Sequence, residues 1–196
     1  MGGAGDRVIT GHGGTIALEA LVGFGVTELF TLSGGHVFPL YDAAVRVVDP
    51  PVRLVDVRHE STATFAAEAV AKLTGRPGVA VLTAGPGVTN GISAVATAQA
   101  NGTPLVVLGG RAPQGRWGAG SLQEFDHVPV LAPVTKRAVT ATDVAELGRL
   151  VHDLAALALT PHRGPVFADL PLDVVFAEGE AVVPVPDPAS WRAAPA

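Results

Sequence analysis

Six short runs rich in branched apolar residues recur along the chain, and longer segments with apolar positions at helical spacing separate them. Several of the runs contain consecutive Val, Leu and Ile residues, which is typical of parallel strands covered on both faces. The predicted strands span residues 27–33, 52–57, 78–83, 103–110, 135–141 and 164–171.

The segments between these runs predict five helices, at residues 14–25, 36–47, 59–75, 87–102 and 141–159. Three of them end in glycine, a common C-terminal stop, and Asp143 is the predicted N-cap of the last one. The alternation predicts an α/β fold with an open six-stranded parallel sheet, helices on both faces and right-handed crossovers.

Turns with distinctive residues follow the first four predicted strands. They read SGGH, RHE, AGPGVTNG and GGRAPQG in chain order. Ligands of open parallel sheets bind at the carboxyl ends of the strands, so these four turns mark the expected functional edge.

Length and composition narrow the functional class. The 196 residues suit one domain, with a boundary predicted between a domain at 1–176 and a Pro/Ala-rich tail or linker at 177–196. The net charge of -5 and the lack of a Lys/Arg cluster disfavour a nucleic-acid surface. The lack of cysteine and the scattered histidines predict no metal site. No secretory signal and no apolar run of membrane-spanning length is found, so a soluble cytoplasmic protein is expected, with no membrane partner.

Glu60 is the unusual acid of the sequence. Glu68 and Lys72 stand four residues apart and are expected to pair on a solvent-exposed helix face. Glu60 has no such partner, and the face it shares is small and nearly uncharged, with Ala63, Thr64, Ala67 and Ala71. A carboxylate in a first helical turn can simply stabilise the helix by about 0.3–1 kcal/mol, and the GPG turn can simply allow close packing. Neither explanation accounts for both features on neighbouring strand ends.

Common nucleotide and hydrolase motifs do not fit. The segment GPGVTN has Asn90 where G-x-G-x-x-G needs its last glycine, and no acid follows at the ribose-binding distance. P-loop and G-x-S-x-G patterns are absent, and HESTA has Ala63 in place of the second histidine of a zinc protease.

A longer pattern resembles a known family. Residues 58–90, RHESTATFAAEAVAKLTGRPGVAVLTAGPGVTN, closely resemble the N-terminal pyrimidine-binding domain of thiamine-diphosphate enzymes. The segments LFTLSGGHVFPLYDA and GSLQEFDHVPVLAPVTK are similar to the acetolactate (acetohydroxyacid) synthase catalytic subunit, and the resemblance covers about residues 8–175.

The resemblance implies roles for individual residues. In the family, the glutamate that matches Glu60 hydrogen-bonds N1′ of the aminopyrimidine, and proton exchange there activates the cofactor. This chemistry requires a proton-sharing carboxyl group in a dry site. The implied pyrimidine contacts are Gly85, Pro86, Gly87 and Asn90, the implied active-site wall is Gly34 and Gly35, and the residues implied near substrate and flavin are Gln123 and Lys136.

The implied activity is that of a 2-oxo-acid carboligase or decarboxylase, most similar to acetolactate synthase. Alternatives are another lyase, decarboxylase or oxidase of the superfamily, or a non-catalytic assembly module that kept the fold. The chain has Leu32-Ser33 where the synthases usually have Tyr-Pro, and Leu122 where an aromatic is usual. The paired histidines of pyruvate decarboxylases are missing.

The family also predicts what this chain needs from elsewhere. Its members bind the diphosphate through Mg²⁺ on a third domain with a Gly-Asp-Gly motif, which is absent here. The chain is therefore expected to supply the pyrimidine half only and to be inactive alone, with the missing domain in cis or in trans. The resemblance further implies a homodimer, with FAD as a cofactor of the synthases, and the face of Ala63, Ala67 and Ala71 is expected to be exposed for a second copy.

Overall fold

The predicted open α/β sheet is present. The computed structural model describes residues 5–191, and its main sheet has six parallel strands. They are β2 (Glu28–Thr31), β3 (Arg53–Asp56), β4 (Gly78–Leu82), β5 (Leu105–Arg111), β6 (Arg137–Thr140) and β7 (Val166–Pro171), in the spatial order β3-β2-β4-β5-β7-β6. Each strand overlaps one of the six predicted runs, which confirms the predicted fold class.

The helices connect these strands and cover both faces of the sheet. Within the described residues they are α1 (Gly13–Val22), α2 (Phe38–Asp42), α3 (Glu60–Thr74), α4 (Pro86–Asn90), α5 (Ile92–Asn101), α6 (Val128–Leu131), α7 (Val144–Leu159), α8 (Leu172–Val175) and α9 (Pro188–Trp191). Asp143 caps α7 by accepting a hydrogen bond from the Ala145 backbone N at 2.8 Å, as predicted. The helix predicted over 87–102 is instead two helices that meet at Gly91, which ends α4 and precedes α5.

Residue alternation along the strands divides the core into two layers. On β4, Val79 and Val81 pack into the layer that includes α1 and α7, whereas Ala80 and Leu82 pack into the layer that includes α3 and α5. All five residues of β4 are buried, which explains why its sequence is continuously apolar.

The alanine face of α3 packs against the chain's own sheet. Ala63, Ala67 and Ala71 are all buried, and a Cβ on Gly78 would lie only 1.9 Å from the Ala67 carbonyl oxygen. The expectation that this face is exposed to a second copy is therefore wrong, because the small side chains serve the close approach of α3 to β4.

A second, two-stranded antiparallel sheet pairs the two ends of the described chain. Its strands are β1 (Arg7–His12) and β8 (Glu178–Val183), with Arg7 opposite Val183. Because β8 lies inside the segment predicted as a tail at 177–196, the folded part extends past residue 176; residues 192–196 of that segment lie outside the described residues. None of the helices in the described part of the chain is long and apolar enough to cross a membrane.

Candidate functional site

Glu60 is the first residue of α3 and lies just beyond the carboxyl end of β3. Only 8% of its surface is exposed. The preceding residue, His59, caps the helix instead, since its Nδ1 accepts a hydrogen bond from the Ser61 backbone N at 3.2 Å. The Glu60 carboxylate is therefore not needed as a cap and turns toward the neighbouring strand end.

The side-chain partner of Glu60 is Asn90 at the end of α4. The Asn90 side-chain amide donates to Glu60 Oε2 at 2.9 Å. The Thr64 hydroxyl donates to the Glu60 carbonyl oxygen at 2.9 Å, which ties down the first turn of α3. In the part of the chain that the structure describes, Oε1 has no hydrogen bond, and it lies 3.7 Å from the position of a Cβ on Gly87. One carboxylate oxygen is thus fixed and the other is available to a ligand.

The glycines of two turns approach each other through Thr83, at the end of β4. A Cβ on Gly34 would lie 2.3 Å from Thr83 Cβ, and one on Gly87 would lie 2.7 Å from Thr83 Cγ2. Gly85 has a φ of +59°, a backbone conformation that side chains other than glycine rarely adopt. The structure therefore brings Gly34, Gly85 and Gly87 together with Glu60 at one edge of the sheet, with Pro86 as the first residue of α4.

A cavity of about 570 Å³ opens beside these turns. Gly34, Gly35 and Gln123 line it, as does His36. His36 is 7% exposed, and its Nδ1 lies 3.2 Å from Thr83 Oγ1. Burial lowers the pKa of His36 despite a hydrogen bond to the Leu122 backbone, so the neutral imidazole is favoured in this wall.

Gln123 is positioned with unusual backbone geometry. Its φ of +57° is the only positive value at a residue other than glycine among residues 5–191. Its backbone oxygen would lie 2.9 Å from a Cβ on Gly85, so the loop packs directly against the GPG turn. A strained residue in a cavity wall is a common feature of functional sites.

Lys136 is not brought to this edge. It precedes β6, at the amino end of the strand, and its Nζ donates to the Leu157 and Thr160 carbonyl oxygens at 2.5 and 2.8 Å. Burial lowers its pKa. Within the described residues, Lys136 binds carbonyl oxygens at the C-terminal end of α7. Its implied position near substrate and flavin stays a prediction.

A second buried glutamate of α3 serves the fold. Glu68 pairs with Lys72 at 2.8 Å, as predicted, but its side chain is buried and not on a solvent-exposed face. Glu68 Oε1 also accepts from the Asn101 side-chain amide at 3.0 Å. Burial alone would raise the pKa of Glu68, but the hydrogen bonds from Lys72, Asn101 and Thr103 lower it below its usual value.

A buried polar group that no sequence motif predicted lies beneath the GPG turn. The Gly85 backbone N donates to His127 Nε2 at 2.9 Å, and His127 Nδ1 lies 2.8 Å from Asp169 Oδ1. The sequence feature that could have indicated this group is Asp169, an acid inside the apolar run 164–171. In the described part of the chain, no group of three or more acidic, histidine or cysteine side chains could hold a metal ion.

Comparison with known proteins agrees with this geometry. The family described as "Thiamine pyrophosphate enzyme, N-terminal TPP binding domain" matches residues 11–130. The chain is 51% identical over 168 residues to the acetolactate synthase large subunit IlvG of Mycobacterium tuberculosis, covering 86% of this chain and 30% of that protein. It is 42% identical over 171 residues to 2-hydroxyacyl-CoA lyase 2 of Bos taurus, covering 87% of this chain and 27% of that protein. The chain thus spans about 30% of the length of these relatives.

Proposed function

This chain belongs to the thiamine pyrophosphate enzyme family as its N-terminal TPP-binding domain, and from that premise we propose that Glu60 activates thiamine diphosphate bound at the GPG edge. Thiamine pyrophosphate and thiamine diphosphate are two names for one cofactor. In the proposal the chain binds the pyrimidine half of the cofactor in a longer or multi-chain enzyme.

The pair of Glu60 and Asn90 carries the proposal. Asn90 fixes Oε2, so the carboxyl group has one orientation and presents Oε1 toward Gly87. Burial of Glu60 removes competing water, which strengthens a hydrogen bond to a ring nitrogen and lets one proton be shared. When bound, the cofactor supplies a carbon nucleophile and an electron sink, and the protein supplies orientation and electrostatics.

The residues around Glu60 fit a flat ring. Gly85 and Gly87 present backbone without side chains, and Thr83 closes the space between the two glycine turns. Gly34, Gly35 and Gln123 then line the adjoining cavity, where the reacting part of a substrate is expected.

We propose an acetolactate synthase-like carboligase as the activity of the complete enzyme. The identity of 51% to a relative of that name supports it. A 2-hydroxyacyl-CoA lyase-like activity is the second candidate, because relatives of that name are 39–42% identical and Leu122 departs from the synthase pattern. Formation of acetolactate from pyruvate, compared with cleavage of a 2-hydroxyacyl-CoA by the same preparation, decides between them. A preparation with neither activity favours an assembly module.

The proposal includes components outside this chain. A diphosphate-binding domain, in cis or in trans, would supply the Mg²⁺ ligands, and FAD would join the complete enzyme if it is synthase-like. A homodimer is supported by the outer side of α3, where Phe65 and Leu73 are 42% and 86% exposed. A cytoplasmic location remains a prediction from the sequence.

The substitution Glu60→Gln in the complete enzyme tests the role of Glu60. It keeps size and can retain an Asn90 contact, but the side chain can no longer share a proton. We expect exchange of the cofactor C2 proton, followed by NMR, to slow by about 10²–10⁴-fold, the usual contribution of a general acid–base group.

Glu68→Gln is the matched control, because Glu68 is also buried, lies on the same helix and accepts a hydrogen bond from an asparagine side chain, that of Asn101 on α5. It should lower stability and leave the exchange rate near that of the wild type. An unchanged rate in Glu60→Gln would return Glu60 to a purely structural role at the helix start.

A further inference from the structure

Two buried side chains, His127 and Asp169, form a continuous polar array beneath Gly85 with the partly buried Arg111. His127 and Asp169 have no exposed surface, and they are joined by the contact between Nδ1 and Oδ1 at 2.8 Å. Arg111 Nε lies 3.2 Å from the other oxygen, Asp169 Oδ2, although the two atoms are not aligned as a hydrogen bond. The Arg111 guanidinium also lies 3.6 Å from the centre of the Trp117 ring.

The geometry fixes the tautomer of His127. The Gly85 backbone N–H donates to Nε2, so Nε2 carries a lone pair and the ring proton is on Nδ1. Nδ1–H then donates to Asp169, which orients the ring as second partners orient histidines in other sites. Burial raises the pKa of Asp169, and His127 and Arg111 partly offset that effect.

Such an array is costly for a fold to retain. Buried charged groups lose hydration, and an apolar core of the same volume is often as stable or more stable. Here the array ends on a single backbone N–H, that of the glycine with a φ of +59° in the turn beside Glu60.

The Asp169 carboxylate also contacts the residues at both ends of a loop. Arg111 is the last residue of β5 and His127 directly precedes α6, so Asp169 holds both ends of the segment 112–126. That segment carries Gln123, whose backbone packs on Gly85. The array therefore joins the turn beside Glu60 to the wall of the cavity.

We propose that His127, oriented by Asp169, is a positioning residue that holds the Gly85 turn in its ligand-binding geometry and couples it to the loop bearing Gln123. The expected effect on cofactor saturation rests on the proposed function. The expected tautomer of His127 rests only on the geometry of this chain.

The structural part is tested on the 196-residue chain without cofactor. Long-range ¹H–¹⁵N NMR spectra of the histidine rings report which nitrogen carries the proton. We expect His127 as the Nδ1–H tautomer, and we expect the Gly85 amide resonance to shift in His127→Gln and His127→Leu. A predominant Nε2–H tautomer would overturn the proposal, since that nitrogen could not accept from Gly85, whatever the enzyme proves to do.

The kinetic part uses the complete enzyme and two substitutions of the same residue. His127→Leu removes the acceptor for the Gly85 N–H, whereas His127→Gln offers an amide oxygen in its place. Leaving a buried donor unsatisfied corresponds to about tenfold or more in an equilibrium constant. We therefore expect His127→Leu to raise the half-saturating thiamine diphosphate concentration by about that factor, and His127→Gln to restore most of it.

Phe167→Leu is the control for general core damage. Phe167 packs edge-on against His127 with ring centroids 6.1 Å apart, but its side chain has no polar atom to bond Gly85. It should lower the melting temperature without changing cofactor saturation. Equal effects of His127→Leu and His127→Gln, or the same rise in Phe167→Leu, would overturn the positioning role. If His127→Leu does not fold, Asp169→Asn replaces it, with a loss of the Nδ1–H tautomer expected by NMR. An enzyme indifferent to thiamine diphosphate would refute the proposed function and leave the NMR test intact.

Discussion

The substitution Gly87→Ala separates the packing role of the GPG turn from its binding role. Gly87 lies inside α4 without a positive φ, so alanine suits its backbone. Two neighbours decide the outcome. The new methyl group would lie 2.7 Å from Thr83 Cγ2, closer than carbon atoms pack, and 3.7 Å from Glu60 Oε1, an ordinary contact distance.

The magnitudes follow from these distances. Replacing glycine by alanine within a helix stabilises it by about 0.5–1 kcal/mol. Crowding a packed core costs about 1–3 kcal/mol, and Thr83 cannot rotate freely because its hydroxyl contacts His36 at 3.2 Å. We therefore expect Gly87→Ala to lower the free energy of unfolding by about 0.5–2 kcal/mol.

Thr83→Ser is the matched second substitution, because it removes Cγ2 and keeps the hydroxyl. The next atom that the new methyl would meet is Thr83 Cβ at 3.5 Å, which needs no adjustment. In the Thr83→Ser background Gly87→Ala should therefore be neutral or stabilising, with a coupling of about 1–3 kcal/mol in the double-mutant cycle. Urea unfolding of the four chains, followed by circular dichroism, measures it.

Cofactor binding should not recover with stability. The methyl group remains beside Glu60 Oε1 in either background, where the pyrimidine ring is expected. One extra methyl group in a fitted pocket changes binding by about tenfold or more. In the complete enzyme, the half-saturating thiamine diphosphate concentration should thus stay raised in Gly87→Ala/Thr83→Ser. Full recovery of binding would refute the placement of the ring beside Gly87, and additive stabilities would refute the steric argument.

Three further expectations can be checked on the isolated chain. Burial lowers the pKa of His36 in the folded state, so below the ordinary histidine pKa of about 6.5 the unfolded chain binds more protons and stability falls with falling pH. The free energy of unfolding, measured with urea at pH 7.5 and at about pH 5.5, should therefore depend less on pH in His36→Gln than in the wild type. An equal pH dependence in the variant would contradict this. Calorimetric titration with thiamine diphosphate and Mg²⁺ should show no tight binding, because the strong metal-bridged diphosphate contacts are proposed to come from another domain. Micromolar binding would instead reveal a phosphate site in this chain. Light scattering should show self-association that weakens in Leu73→Glu, because Leu73 is exposed on α3, and a monomer at high concentration would count against a dimer through this face.

Much of the site's location was set by local sequence. Glycine turns at strand ends and the apolar runs determined the six-stranded sheet, because strand and helix periodicities are properties of short segments. Glu60 was recognisable as an isolated acid on a small-residue face. Its position at the first turn of α3, beside the GPG turn, then follows from parallel strands ending at one edge.

Other features depended on pairing between distant segments. β8 reads as a polar alternation in a proline-rich region, and it becomes a strand only because β1 offers an edge to pair with. The alanine face of α3 gave no indication of which surface would cover it, and the close approach of Gly78 decided that it faces the sheet. Glu68 was buried by the same docking, which brings Asn101 to it.

The sequence by itself thus determined the α/β class, the functional edge and the residue that carries the proposed chemistry, because each is written in a contiguous pattern. Only the tertiary structure decided that Gly85, His127 and Asp169, from three separate segments, form one buried array. It likewise placed Lys136 against α7, away from Glu60. The physical reason is that partners of buried polar groups are chosen by the packing of whole elements, and no local spacing records which elements will meet.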